Sequence, residues 1–177
     1  MTIAVRAAVP ADRAKLKKFE CSSGEDFEDE VEAYVRLDVY DETASFAEAI
    51  DQRLVVCEDE TIVGVAAHRA QDLVDGNVGT FLIVGAVSSA RQGKDLSNGR
   101  PASDVLMEAI LDSIAGSPER TSTAVVGRVR DGNARSLAWC SRFGLRELRE
   151  VEPGLIEVVG DTRVMRQRLL ARRDGGG

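Results

Sequence analysis

The sequence predicts a mixed α/β fold, in which one domain is built on a mixed central sheet with helices on both faces. Short apolar runs rich in β-branched residues alternate with longer segments whose apolar residues recur every three or four positions. The run over residues 80–87 is almost wholly apolar, which is typical of a central strand buried on both faces. A chain of 177 residues is long enough for one sizeable core and short for two independent domains. We therefore expect a single domain over residues 1–170 and a disordered tail over residues 171–177.

The first third of the chain is predicted to contain one strand and three helices. Ile3-Ala4-Val5 indicates a strand over residues 2–8, and Pro10-Ala11-Asp12 then opens a helix that carries Leu16 and Phe19. Apolar residues from Phe27 to Val39 follow at helical spacing. A further short helix is predicted over residues 44–51.

The rest of the chain alternates between strands and helices. Two strands form a hairpin around Asp59-Glu60, and Asp75-Gly76-Asn77 is a turn before the central strand. Pro101 starts a helix that Gly116-Ser117-Pro118 ends. Asn133 caps a second helix, which runs through Phe143. The remaining predicted strands are the hairpin pair 53–58 and 61–68, then 122–129, and finally the closing segments 145–151, 155–159 and 162–170.

Composition excludes several classes of protein. Apolar residues make up 44% and charged residues 30% of the chain, and no apolar run approaches the roughly 20 residues that span a membrane. The N-terminus lacks the pattern of a secretory signal, so a cytoplasmic location is expected. Three separated cysteines and one histidine disfavour both a disulfide framework and a zinc site.

The net charge of −7 disfavours nucleic acid as a partner and is more compatible with a cationic substrate. Residues 25–32 form an acidic run that contains four Glu and two Asp. Two interpretations are open for this run: a solvated helix face, or a patch that attracts a cationic substrate.

The central strand leads into a polar loop that contains glycine. The strand ends at Gly85-Ala86-Val87, and the loop Ser88-Ser89-Ala90-Arg91-Gln92-Gly93-Lys94 follows. Glycine lets backbone N–H groups approach a phosphate closely, and the dipole of the next helix favours an anion at its N-terminus. Asp95-Leu96-Ser97-Asn98 then intervenes before Gly99-Arg100-Pro101. The loop lacks the spacing of a Walker-type phosphate loop.

A second informative block runs from Asn133 to Leu145 and reads NARSLAWCSRFGL. With the loop above, it resembles the cofactor-binding half of the GNAT superfamily of N-acetyltransferases, whose patterns are R/Q-x-x-G-x-G/A and N-x-x-A/S-x-x-x-Y-x-x-x-G-F. The resemblance covers most of the chain and is strongest over residues 79–145. This chain departs from the pattern by an insertion at residues 95–98, after which Gly99 resumes the loop, and by Cys140 in place of the tyrosine.

The resemblance implies a fold, a cofactor and an activity. Acetyl-CoA is expected as co-substrate, without a metal, and its arm is expected between the strands 80–87 and 122–129. A backbone N–H near Ala86 or Val87 would polarise the thioester carbonyl. The residues that the resemblance places at the cofactor are Ala86, Val87, Arg91, Gln92, Gly93, Lys94, Gly99, Arg100 and Asn133.

Two residues are candidates for acid–base catalysis. Cys140 occupies the place of the tyrosine that protonates the leaving thiolate in the family, and the alternative is a small buried residue. His68 ends a strand beside the central one and has an ordinary pKa of about 6.5, which suits a general base. The alternative for His68 is a structural histidine, and the alternative for Asn133 is a plain helix cap.

These expectations define an acetyl-CoA-dependent N-acetyltransferase whose acceptor is a small-molecule or protein amine. No nucleic-acid or membrane partner is expected, and a homodimer is common in the family. The alternative is a catalytically inactive protein with the GNAT fold that serves as a binding or regulatory module.

Overall fold

The computed structural model describes residues 1–37 and 52–174. Its elements are seven strands and five helices within those ranges. The strands are β1 (Ile3–Ala7), β2 (Gln52–Glu58), β3 (Thr61–Asp72), β4 (Val78–Val87), β5 (Ala124–Arg130), β6 (Arg146–Glu152) and β7 (Leu155–Asp161). The helices are α1 (Arg13–Leu16), α2 (Asp26–Leu37), α3 (Ala102–Ala115), α4 (Ala134–Phe143) and α5 (Thr162–Asp174).

The strands form one seven-stranded sheet in the order β1-β2-β3-β4-β5-β7-β6. β1 and β2 pair antiparallel, as do β2 and β3. β4 and β5 pair parallel, and β5 and β6 each pair antiparallel with β7. A mixed sheet combined with helices confirms the predicted α/β class, and β4 takes the central position that its apolar sequence predicted.

The chain divides into two compact units. One unit comprises Met1–His68 and Val84–Ile110, and the other comprises Arg69–Ile83 and Leu111–Gly177. The single-domain boundary of 1–170 therefore stays a prediction.

The first unit has its core in β2, β3 and the first turns of α3. Val55, Val65, Leu106 and Ile110 are completely enclosed. At Gly64 of β3, an added Cβ would lie 3.5 Å from the Leu106 Cδ1 atom. This close approach fixes the start of α3 against β3.

The second unit is built around the parallel ladder that joins Thr80–Leu82 of β4 to Val125–Gly127 of β5. At Gly79 the two strands approach so closely that an added Cβ would lie 2.9 Å from the Ala124 carbonyl oxygen. Real Cβ atoms do not tolerate such a distance from backbone oxygen, so this position requires glycine.

β4 is not buried on both faces, contrary to the prediction. From Thr80 to Val87 its side chains alternate between buried and half-buried. Leu82, Val84 and Ala86 point into the core, whereas Phe81 and Val87 are partly exposed. An apolar run therefore does not distinguish a strand enclosed on both faces from one with a half-open face.

Residues 162–170 were predicted as a strand, and the structure shows that they are helical. Met165 and Leu169, four positions apart, are completely buried on one side of α5. The Asp161 carboxylate accepts the Arg163 N–H at 2.8 Å, which is how an N-cap residue starts a helix. Residues 171–174, expected in the tail, are the last turn of α5.

The remaining differences lie near the N-terminus. The segment opened by Pro10 is a 3-10 turn followed by the four-residue α1, so the helix is shorter than expected. The predicted helix over residues 44–51 lies outside the described residues, and so does Val39.

Candidate active site

The end of β4 presents one backbone amide away from β3. The Ser88 N–H donates to the Val63 carbonyl of β3 at 2.9 Å. Because successive N–H groups alternate in direction along an extended strand, the Val87 N–H points to the opposite side. Of the two predicted carbonyl-polarising amides, Val87 thus has its N–H directed away from β3, and Ala86 has its N–H directed toward it.

Gln92 contacts this strand end. Its side-chain amide donates to the Val87 carbonyl at 3.1 Å and to the Cys21 carbonyl at 2.8 Å. The Ser89 N–H also donates to the Glu20 carbonyl, at 2.8 Å. The loop between α1 and α2 is therefore fastened to the loop that follows β4.

The loop after β4 satisfies many of its own amides. The Arg91 and Gln92 N–H groups both donate to the Ser88 carbonyl, and the Lys94 N–H donates to the Arg91 carbonyl at 3.2 Å. Gly93 has a φ of +69°, a left-handed conformation that favours glycine. The chain thus turns tightly at Gly93.

The inserted residues form a small ordered hairpin. Asp95 and Pro101 are bridge partners, and the Leu96 N–H donates to the Arg100 carbonyl at 2.8 Å. Gly99 closes the turn with a φ of +74°, and its N–H donates to the Leu96 carbonyl. Leu96 is 3% exposed, so the hairpin is anchored in the first unit. That Gly99 contacts the cofactor stays a prediction.

Glu58 holds this hairpin in place. Its buried carboxylate accepts the Ser97 N–H at 2.7 Å and forms an ion pair with Arg91. The hydrogen bonds from Ser97, followed by the charge of Arg91, hold the pKa of Glu58 below its ordinary value. Although Glu58 lies next to the turn between β2 and β3, it is shielded from solvent, and the hairpin that contains Ser97 contacts it directly.

The three cations of the loop differ in how they are engaged. Arg91 is neutralised by Glu58, and the Lys94 ammonium donates to the Ala90 carbonyl at 3.1 Å while staying exposed. The Arg100 Nη1 atom donates to Glu108 at 2.6 Å. The Arg100 Nη2 atom is buried and has no hydrogen-bond partner in the described part of the chain. A guanidinium N–H that has no acceptor among these residues is a candidate to bind an anion such as a diphosphate.

The two predicted acid–base residues are both enclosed. His68 lies at 0% exposure on β3, opposite Gln52 of β2. Cys140 lies in α4 at 5% exposure, and burial raises the pKa of its thiol to about 11. Neither side chain is open to solvent, and both catalytic roles stay predictions.

Asn133 begins α4. Its Oδ1 atom accepts the Ser136 N–H at 2.9 Å, and its side chain is buried. Gly144 ends the helix with a φ of +91°. The predicted helix cap is therefore confirmed, and a cofactor contact through the amide nitrogen of Asn133 stays a prediction.

This protein is similar to known proteins in structure rather than in sequence. No family model and no curated protein matches the sequence. A GNAT-family protein from Desulfovibrio desulfuricans is similar, with 16% identity over 91% of this chain and 99% of that chain and a TM-score of 0.69. The PaiA N-acetyltransferase of Thermoplasma acidophilum, in complex with coenzyme A, has 12% identity over 91% and 99% and a TM-score of 0.60. The NatC complex bound to Gag peptide and CoA has 10% identity over 91% and 99% and a TM-score of 0.55.

The protein has the fold of the GNAT acetyltransferases. The similarity in fold extends over 91% of this chain in both of the first two comparisons.

Within this GNAT fold, the acidic run has a role that its sequence did not reveal. Glu32 of α2 accepts the Cys21 and Ser22 N–H groups at 2.7 and 3.0 Å, and Glu28 accepts the Ser23 N–H at 2.6 Å. These two carboxylates, one helical turn apart, bind the preceding loop rather than solvent. The acidic spacing alone could have suggested a common face but not its partner.

The described portion of this GNAT-fold chain contains neither a metal-binding cluster nor a membrane-spanning helix. Residues 1–37 and 52–174 contain no cluster of three or more histidine, cysteine or acidic residues placed to bind a metal ion. No helix in the same ranges has the length and apolar character needed to cross a membrane.

Proposed function

We propose that this protein is an acetyl-CoA-dependent N-acetyltransferase that acts on a primary amine in a ternary complex. The observation that carries the proposal is the buried Arg100 Nη2 atom, which has no hydrogen-bond partner among residues 1–37 and 52–174 and belongs to the residue that precedes Pro101 and α3. The 14-residue α3 adds the favourable dipole of its N-terminus. Together they support a site for the diphosphate of coenzyme A at the start of α3.

The other residues predicted to contact the cofactor differ in the hydrogen bonds and ion pairs that they already make within the protein. Gly93 and Lys94 are proposed as further contacts of the diphosphate, with Lys94 as an exposed point charge. Arg91 is proposed to act indirectly, because its Nη2 atom already donates to Glu58. Ala86, Gly99 and Asn133 remain proposed contacts of the cofactor.

The chemistry requires a polarised carbonyl and a neutral amine in contact. The Val87 N–H, directed away from β3, is proposed to donate to the thioester oxygen as negative charge develops there. The amine nitrogen attacks the carbonyl carbon, the carbon–sulfur bond breaks, and coenzyme A leaves as a thiolate that takes up a proton from water or from an acid. The excess proton of the amine passes to water or to a base. Positioning supplies much of the reduction of the barrier.

Because Cys140 and His68 are both buried, we propose water as the carrier of the protons in the reaction. A Cys140 thiol with a pKa of about 11 is a weaker acid than an ordinary thiol, whose pKa is about 8.5, so donation from Cys140 to the leaving thiolate is uphill. The His68 ring is completely enclosed, so a proton would have to reach it through a chain of groups. Cys140 and His68 remain proposed as acid and base, and the kcat values of their variants test these roles.

The acceptor is proposed to be a small-molecule or protein amine. The exposed acidic residues Glu25, Asp26 and Glu30 of the α2 region carry negative charge that favours a cationic acceptor. A cytoplasmic location and the absence of nucleic-acid and membrane partners accompany this proposal.

A specific observation supports the rival function, a binding or regulatory module without catalysis. The loop amides that would bind the diphosphate partly donate to loop carbonyls, and the inserted hairpin follows directly. A loop whose amides already donate to its own carbonyls must either rearrange to bind the cofactor or bind it with fewer amides.

The experiment that separates the two is an acetyl-CoA consumption assay over a panel of primary amines, with mass spectrometry of the acceptor. The proposal predicts release of free coenzyme A together with an acceptor heavier by one acetyl group. Arg100→Met should reduce turnover at low acetyl-CoA concentration, whereas Arg146→Met on the exposed β6 should not. Binding of acetyl-CoA without any acetylated product across the panel would favour the module.

A further inference from the structure

We infer that Gln92 is a positioning residue that sets the direction of the Val87 amide, rather than a contact of the cofactor. The inference rests on the proposed function, because the Val87 N–H is the proposed carbonyl-polarising donor. It assigns to Gln92 a different role from the cofactor contact that the sequence resemblance implies.

The peptide group between Val87 and Ser88 is held at both ends. Its N–H donates to the Val63 carbonyl at 2.9 Å, and its carbonyl accepts the Gln92 amide at 3.1 Å. A peptide group bound on both sides cannot rotate without breaking one of these bonds. Since the Val87 ψ angle is fixed in this way, the direction of the preceding N–H, that of Val87 itself, is restricted as well.

Gln92 approaches Val87 from the side that the Val87 N–H faces. In an extended strand the N–H and C=O groups of one residue point to the same side. The side-chain amide of Gln92 therefore lies on the side away from β3. A donor placed there orients the strand end.

The same nitrogen also holds the α1–α2 loop. The Gln92 Nε2 atom donates to the Cys21 carbonyl at 2.8 Å, while the Cys21 N–H donates to Glu32 of α2 at 2.7 Å. The peptide groups around Cys21 are thus bound on one side by α2 and on the other by Gln92. The Gln92 side chain therefore couples the segment before α2 to the Val87 amide, the proposed carbonyl-polarising donor.

Glutamine is suited to this role by its chemistry. Its amide nitrogen carries two hydrogens on one atom, which matches two carbonyl acceptors. Glutamate has nearly the same shape but only accepts hydrogen bonds when ionised, so it would repel both carbonyls. Methionine keeps the length of the side chain and removes the donor.

The test uses Gln92→Glu, with Gln92→Met as a second variant and Gln71→Glu as the control. Gln71 lies on β3, and its half-buried side chain donates to the neighbouring Asp72 carbonyl. Three quantities are measured on each purified full-length protein. They are kcat with the best amine of the panel, the Kd for coenzyme A from calorimetry, and the amide hydrogen exchange of Ser88 and Ser89.

A positioning role predicts that Gln92→Glu lowers kcat at least 10-fold, because the amide is misdirected only where charge develops. The Kd for coenzyme A stays within about 3-fold of the wild-type value. Exchange of the Ser88 and Ser89 amides accelerates about 10-fold or more. Gln92→Met shows the same pattern in milder form, and Gln71→Glu leaves all three quantities unchanged.

Other outcomes overturn the inference. A Kd that rises 10-fold with unchanged kcat at saturation would identify Gln92 as a direct contact of the cofactor. Unchanged kcat, Kd and exchange would remove any role. If the wild-type protein binds coenzyme A and acetylates no amine, the proposed function fails. Hydrogen exchange then decides: acceleration at Ser88 and Ser89 upholds the positioning role, and no change overturns it. If Gln92→Glu does not fold, the same measurements on Gln92→Met decide.

Discussion

The Ser97 backbone N–H donates to the Glu58 carboxylate at 2.7 Å, joining the inserted hairpin to the end of β2 across 39 residues of sequence. The same carboxylate pairs with Arg91. One buried acid therefore fixes both the insertion and the cation of the loop after β4. This arrangement explains how an insertion at residues 95–98 is accommodated beside a loop of the GNAT fold.

The first prediction concerns the charge of Glu58. Glu58→Gln should release Arg91 and loosen the hairpin, because the neutral amide loses the ion pair and most of the strength of the bond to Ser97. Hydrogen exchange at Leu96 and Ser97 should accelerate. The matched control is Glu60→Gln, since the Glu60 side chain is 96% exposed and its loss should leave this exchange unchanged.

The same bond gives a pH dependence with a defined sign. The pKa of Glu58 is lower in the folded state than the value of about 4.3 in the unfolded chain. Its contribution is therefore fully present above pH 4.3 and is lost as the pH falls through the lower folded pKa. Protection of Leu96 and Ser97, corrected for intrinsic exchange rates, should be constant from neutral pH to about pH 5. Loss of protection beginning at neutral pH would contradict this assignment.

The second prediction tests the close approach of β4 and β5. Gly79→Ala should destabilise the protein by about 1–3 kcal/mol, because the new Cβ would lie 2.9 Å from the Ala124 oxygen. Gly127→Ala is the control, since the nearest atom to its Cβ, Val158 Cγ2, is 3.4 Å away. Urea unfolding of both variants measures the difference. Equal stability of the two variants would mean that the strands are further apart than described.

The third prediction separates the two interpretations of Cys140. At pH 8 a thiol of pKa about 11 is ionised to about 0.1%, so maleimide should not label Cys140 until the protein unfolds. Cys140→Ala should lower stability by about 1 kcal/mol and leave kcat within about 3-fold of wild type. A 100-fold fall in kcat with normal folding would instead show that the thiol donates the proton.

The fourth prediction concerns the start of α5. Asp161 accepts hydrogen bonds from the Arg163 side chain and N–H and from the Thr123 hydroxyl. Arg163 and, after it, Thr123 hold the pKa of Asp161 well below its ordinary range. Asp161→Ala should cost about 0.5–2 kcal/mol in thermal unfolding. Arg163→Ala should cost less, since that side chain is 75% exposed. Equal costs would place the effect in the ion pair rather than in the cap.

The sequence predicted the elements whose signals are local. Asn133 and Gly144 mark both ends of α4, and the turn at Asp75-Gly76-Asn77 is present with Gly76 at a φ of +80°. The closing helix α5 was missed because its β-branched start at Thr162 and Val164 resembles a strand. Its helical character depends on a cap at Asp161 and on burial of one face.

The candidate site was harder to predict because its determinants are distant in sequence. The end of β4 at Val87 and the helix α4 after Asn133 lie where the sequence predicted them. The pairing of Glu58 with the hairpin, and of Gln92 with Cys21, joins residues 39 and 71 positions apart. No local pattern specifies such pairs, so the engagement of Arg91 and Gln92 follows only from the folded structure.

The most direct test of the central claim is calorimetric titration of the folded chain with acetyl-CoA. We predict saturable binding at one site per chain. Arg100→Met should weaken this binding about 10-fold or more, as expected for the loss of a charged hydrogen bond, and Arg146→Met should leave it unchanged. Absence of saturable heat at millimolar acetyl-CoA, or equal affinity of the wild-type and Arg100→Met proteins, would contradict an acetyl-CoA site at Arg100.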